Sequence, residues 1–108
     1  MNRLTTVNSS PDTLKIPHIS IDTNTYQVFV GKKRVNNLTI TEFNLLACFL
    51  KNAGKALSRD DLLSAVWDES YQGTERTVDT HIGRLRLKLG MAAYLIRTVR
   101  GVGYRLEK

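Results

Sequence analysis

Cysteine is nearly absent: Cys48 is the only one in 108 residues. A lone thiol excludes a disulfide framework within the chain and a cysteine-rich structural zinc site. It suits a reducing compartment, and a cytoplasmic protein is expected. Cys48 stands among Leu45, Leu46, Ala47, Phe49 and Leu50, a setting for a small buried apolar residue rather than a reactive thiolate. Histidine is scarce too, with only His18 and His81. There is no phosphate-cradling loop and no pairing of a nucleophile with a base, so neither an enzyme nor a cofactor is expected. The acidic pairs Asp60-Asp61 and Asp68-Glu69 are adjacent in sequence, and adjacent side chains on a helix diverge. They read as cap and surface residues, not as ligands of a metal. No apolar run approaches the ~18 residues of a membrane span, and Leu4 to Ser10 is no signal-peptide core.

What is abundant is positive charge. Sixteen Lys and Arg stand against ten Asp and Glu, a net +6, while 42% of the residues are apolar. That apolar share and length suit one small domain with a single core. The charge is unevenly spread. Residues 76–108 hold eight bases (Arg76, Arg84, Arg86, Lys88, Arg97, Arg100, Arg105 and Lys108) and two acids (Asp79 and Glu107), so the whole excess sits in the last third. An anionic partner is implied there.

Residues 1–13, with Ser9, Ser10, Pro11 and Asp12, read as a lead-in or linker remnant, and the domain proper as 14–108. Period-two alternation in Ile19-Ser20-Ile21 and over Tyr26 to Val30 predicts strands. Asp22-Thr23-Asn24 and Gly31-Lys32 serve as turns, and Lys33 to Leu38 as a returning strand. The period then becomes helical. Thr39-Ile40-Thr41-Glu42 is a capping box, Phe43, Leu46, Ala47 and Leu50 form a core stripe over 40–53, and Gly54 provides the exit. A second helix is expected over 59–67 behind Ser58, with Asp60 and Asp61 in its first turn. A third is expected over 75–89, capped by Thr74 and ended by Gly90, with Val78, Ile82, Leu85 and Leu89 facing the core. Two extended runs around Arg100-Gly101-Val102-Gly103 complete the chain as a hairpin. Sheet, three helices and a basic hairpin make an α+β, winged form of the helix-turn-helix.

With the core stripe of the third helix fixed, Thr77, Thr80, His81, Arg84 and Lys88 lie on its other side, and Arg76 at its start. Arg forks onto guanine, Thr offers a methyl and a hydroxyl, and a helix N-terminus welcomes phosphate. Asp79 is expected to pair locally with Arg76 or Arg86. A basic solvated face is common on helices, and edge strands carry Arg for solubility. Each feature alone is therefore ambiguous, and a module binding an acidic protein is the alternative reading. The two in sequence favour duplex DNA, with an arginine at the hairpin tip suited to a minor groove.

The chain resembles the C-terminal effector domain of OmpR/PhoB-type bacterial two-component response regulators. The resemblance is carried by Leu38 to Leu46, by Ser58 to Leu63 with Val66-Trp67, by Arg76 to Ile82 with Arg84-Leu85-Arg86 and Lys88-Leu89, and by Ile96 to Tyr104. It implies a four-stranded antiparallel sheet, three helices and a C-terminal wing. It implies that helix 75–89 enters the major groove and that the wing near Arg100 touches the minor groove. Arg76, Thr77, Thr80, His81, Arg84 and Arg86 match DNA-contacting positions, and Trp67, Thr98, Arg100 and Tyr104 match backbone- or wing-contact positions. It also implies head-to-tail dimers on direct repeats and, through loop 68–75, contact with RNA polymerase. Gly83 and Thr80 depart from the family pattern. The phospho-accepting receiver domain is not in the sequence, and an effector domain cut from a longer regulator is expected.

Overall fold

The structure, a computed structural model, describes residues 13–67 and 73–108. The chain opens with β1 (Thr13–Ile16), β2 (Ile19–Asp22), β3 (Gln27–Val30) and β4 (Lys33–Val35), which form an antiparallel sheet in that order. Alternation sets its inner face. Ile21 lies opposite Val28, and both are buried with Ile19. Asp22 builds the turn between β2 and β3, its carboxylate accepting from the Asn24 and Thr25 N–H groups at 2.8 and 3.2 Å. Tyr26 does not start β3 as its alternation suggested. It closes that turn at φ 60°, and its ring packs on Phe43 at 4.9 Å. The fourth strand is also shorter than expected, stopping at Val35.

Helix α1 (Ile40–Lys51) begins at the Thr39–Glu42 capping box, with bonds of 2.9 and 3.1 Å. It ends two residues before the expected limit, at Asn52, whose N–H bonds back to Cys48 and Phe49. Leu45 and Phe49 are buried as well as the expected stripe, because the helix is covered on more than one side. A two-residue strand, β5 (Leu57–Ser58), leads into α2 (Arg59–Val66), where Ser58 and Asp61 form a second capping box. Trp67 is the residue after α2, not its last member. Helix α3 (Glu75–Leu89) has the bounds its periodicity predicts. Thr74 precedes it, its N–H donating to Thr77 Oγ1 at 3.3 Å, and Gly90 follows at φ 58°.

A short 3-10 segment, Gly90–Leu95, then feeds β6 (Ile96–Val99) and β7 (Gly103–Leu106). These pair as the terminal hairpin, and β5 joins the outer side of β7 to give the order β5-β7-β6. The core is continuous from Ile19, Ile21 and Val28 through Phe43, Leu46 and Phe49 to Leu62, Val78, Ile82, Leu85 and Leu106. Both α3 and the hairpin are thus anchored to one packed interior, and each leaves a face outside it. Among the described residues no helix is long and apolar enough to cross a membrane.

Candidate nucleic-acid interface

The inner face of α3 is Val78, Ile82, Leu85 and Leu89, all at most 2% exposed. Its opposite face presents Arg76, Thr80, Gly83, Arg84 and Leu87, all exposed. Thr80 is partly occupied, its hydroxyl donating to the Arg76 carbonyl at 3.0 Å. Thr77 and His81 sit at the margin, half-buried, with His81 Nδ1 2.9 Å from the Thr77 carbonyl oxygen. Trp67 meets the His81 ring edge-on at 5.2 Å, so the end of α2 borders this margin. The hairpin tip carries exposed Arg100 beside Gly101, which turns at φ 78°. Exposed Arg97 and Thr98 lie on β6 behind it.

Two of the acids near this surface, Asp79 and Glu42, are already matched, whereas Glu75 at the start of α3 is exposed. Asp79 accepts from Arg59 Nε at 2.8 Å and from the Tyr104 hydroxyl at 2.6 Å. Burial pushes its carboxyl up, but Tyr104 and Arg59 outweigh that and hold it below the usual carboxylate range. Tyr104 moves the opposite way: burial and the Asp79 carboxylate both raise its phenol. Glu42 is buried and accepts from Lys88 Nζ at 2.7 Å. Burial raises its carboxyl too, and the Lys88 and Thr39 bonds bring it below its ordinary value.

Four side chains have partners that the sequence did not indicate. Asp79 pairs with Arg59 rather than with Arg76 or Arg86, because its side chain leaves α3 toward the start of α2 and β7. Arg86 is engaged within the domain. Its guanidinium is bound to the Ile96 carbonyl at 3.1 and 2.7 Å and to Thr98 Oγ1 at 3.1 Å. Tyr104 is 5% exposed and has committed its only hydroxyl proton to Asp79, so it is not a free wing donor. Lys88 points inward to Glu42 and leaves the exposed face. Thr98 keeps an exposed side chain, but its hydroxyl already receives Arg86.

What remains outward is a sparse set of cations. None of the ion pairs among the described residues uses Arg76, Arg84, Arg97 or Arg100. Arg97 is not among the positions that the sequence resemblance marks as contacts, and it is exposed on β6. Its cross-strand neighbour is Arg105, which is neutralised by Glu107 at 2.5 Å. Arg59 escaped sequence reasoning altogether, since its partner lies 20 residues away. Among the described residues no group of three His, Cys, Asp or Glu side chains is placed to hold a metal ion.

The family model described as transcriptional regulatory protein, C terminal, matches residues 21–106. The chain belongs to that family. The transcriptional regulatory protein SrrA of Staphylococcus aureus is 41% identical to this family member over 100 residues, covering 89% of the chain and 41% of SrrA. The chain therefore spans about two fifths of the length of that curated relative. Among solved structures, the AdeR DNA-binding domain in complex with an intercistronic region is 34% identical with a TM-score of 0.78, covering 87% of this chain and 98% of that one. The Klebsiella pneumoniae RstA DNA-binding domain in complex with the RstA box is 36% identical with a TM-score of 0.76, covering 88% and 96%. The Thermotoga maritima OmpR/PhoB homologue DrrB is 31% identical with a TM-score of 0.78, covering 90% of this chain and 45% of DrrB. The winged-helix architecture implied by the sequence resemblance is the architecture this family member has.

Proposed function

We propose that this domain binds duplex DNA with sequence preference, as the output module of a response regulator of transcription. The observation that carries the reading is the sorting of charge: Arg76, Arg84 and Arg100 face outward, while Asp79 and Glu42 are neutralised from within. Two relatives of matching fold were solved with their DNA sites, which supports the same role here. In this reading α3 enters the major groove. Arg84 and Thr80 meet base edges, and Arg76, Thr77 and His81 meet the adjoining backbone. Trp67 approaches the same strand from the end of α2. The tip at Arg100 reaches the minor groove, where narrow A·T tracts concentrate negative potential.

The proposal extends to direct-repeat sites occupied head to tail, to a cytoplasmic setting, and to a receiver domain elsewhere in the full protein. Contact with RNA polymerase through 68–75 belongs to the same proposal, and residues 68–72 of that loop lie outside the described residues. Selection from a random duplex pool, followed by titration of the selected site against salt, tests the central claim. Each neutralised phosphate contributes ~0.9 to the slope of log affinity against log salt, so several contacts give a steep dependence. No enriched sequence together with a shallow slope would defeat the proposal, and binding to an acidic protein instead would replace it.

A further inference from the structure

The wing is held to α3 at two points. Asp79, near the start of the helix, accepts from Tyr104 on β7. Arg86, seven residues on, donates to the Ile96 carbonyl and Thr98 Oγ1 on β6. Seven residues are two helical turns, so the two points lie on one side of α3 and about 10 Å apart along it. The same two strands are paired, with Thr98 opposite Tyr104. The Tyr104 ring is flanked by the Arg59 and Arg86 guanidiniums at 5.5 and 5.3 Å, and Arg59 in turn bonds Asp79. Buried Ile96 and Leu106 and the β5–β7 pairing already fix the base of the hairpin, and what the side-chain bonds restrict is rocking of its strands against α3. Two attachments, on different strands and two turns apart, remove that freedom.

We infer that Asp79, Tyr104 and Arg86 are positioning residues that fix the offset between α3 and the wing tip, so that Arg84 and Arg100 engage one site of set length together. The inference rests on the DNA-binding reading above, and it assigns these three side chains to geometry rather than to DNA contact. Prior alignment of the two contact points removes an ordering cost at the moment of binding, which is how preorganisation raises affinity. Without the clamp, Arg100 reaches its groove only in a fraction of the orientations open to the hairpin.

The test is a double-mutant cycle on the full chain and its selected duplex. Tyr104→Phe keeps the ring and its packing but deletes the hydroxyl, and Arg86→Met keeps the stem but deletes the strand bonds. Arg100→Ala is made in wild type and in each variant. The expected result is that the fold-loss caused by Arg100→Ala shrinks by about threefold or more in both variant backgrounds. A role in stability alone lowers the folded fraction equally with and without Arg100 and leaves that fold-loss unchanged, which overturns the inference. Amide hydrogen exchange of the free protein gives a second readout that needs no DNA. Selective acceleration over 96–106, with β2 and β3 unaffected, supports the clamp, whereas uniform acceleration or none overturns it. If wild type shows no preference among duplexes, the DNA-binding proposal itself fails, and exchange alone decides the clamp.

Discussion

Arg84 and Arg86 are two positions apart on α3, a rotation of about 200° around its axis. That rotation leaves Arg84 exposed and carries Arg86 onto β6. The first consequence is a contrast between two substitutions. Arg84→Ala leaves the thermal midpoint unchanged and removes discrimination of about 1–3 kcal/mol at one or two base pairs. Competition between the selected duplex and point-changed duplexes measures this, and equal losses on selected and random DNA would refute the base-reading role. Arg86→Ala deprives the Ile96 carbonyl and Thr98 of their partner and lowers folding stability by about 1–3 kcal/mol in chemical denaturation. The periodicity of Val78, Ile82, Leu85 and Leu89 made the outward position of Arg84 readable from sequence. The fate of Arg86, Lys88 and Asp79 was not readable, because each is decided by a partner from another element: Ile96, Glu42 and Arg59.

At the scale of elements, helices with their own signals were legible, and elements defined by a neighbour were not. The Thr39–Glu42 and Ser58–Asp61 boxes mark where α1 and α2 begin, and both are intact. Strand β5 has two residues, too few for a period, and exists because β7 lies beside it. Gly103 belongs to that pairing. A Cβ there would run into the Leu57 carbonyl oxygen, so its smallness serves a close approach of strands and not the hairpin turn. Gly103→Ala therefore pries β7 from β5 and costs about 1–3 kcal/mol, the usual range for overpacking. A thermal midpoint equal to wild type would show that the strands part without cost. Gly83 is the opposite case. It sits in the middle of α3, and a methyl group placed on its Cα would meet nothing within 4 Å. Gly83→Ala gains helix propensity and stabilises the free domain by about 0.5–1 kcal/mol. If the helix face meets DNA closely, the same methyl group alters site preference, and a repeat of the duplex selection with this variant reads that change.

For the whole molecule, the ionisable groups displaced from their ordinary values define a pH window. Glu42 and Asp79 have carboxyls held below their ordinary values, and Asp61 is lowered by its bonds to Ser58. A carboxyl that is more acidic folded than unfolded adds stability above its unfolded value, and that stability drains away as pH falls through the folded one. The loss thus begins near the ordinary carboxylate values, about 4, and is complete below the lowered ones. Cys48 and Tyr104 set the other edge: burial raises the Cys48 thiol, so the loss of its contribution opens near the unfolded value of about 8.5, and Tyr104 follows. Its phenol is raised by burial first and by Asp79 second, so its contribution is whole below the unfolded value of about 10 and fades as pH climbs through the folded one. Denaturant midpoints measured across pH should form a plateau bounded by these two limbs. Tyr104→Phe removes the alkaline limb that Tyr104 owns and leaves the Glu42 share of the acid limb in place. Lys88→Ala acts at the acid edge. It strands the Glu42 carboxylate in the core, raising its pKa, at a cost of about 3 kcal/mol near neutral pH. Protonation relieves that cost, so the gap between wild type and Lys88→Ala should narrow as pH falls toward about 4. A gap that stays constant with pH would mean that Lys88 stabilises the end of α3 through its packing alone, and that the Glu42 charge plays no part in joining α1 to α3.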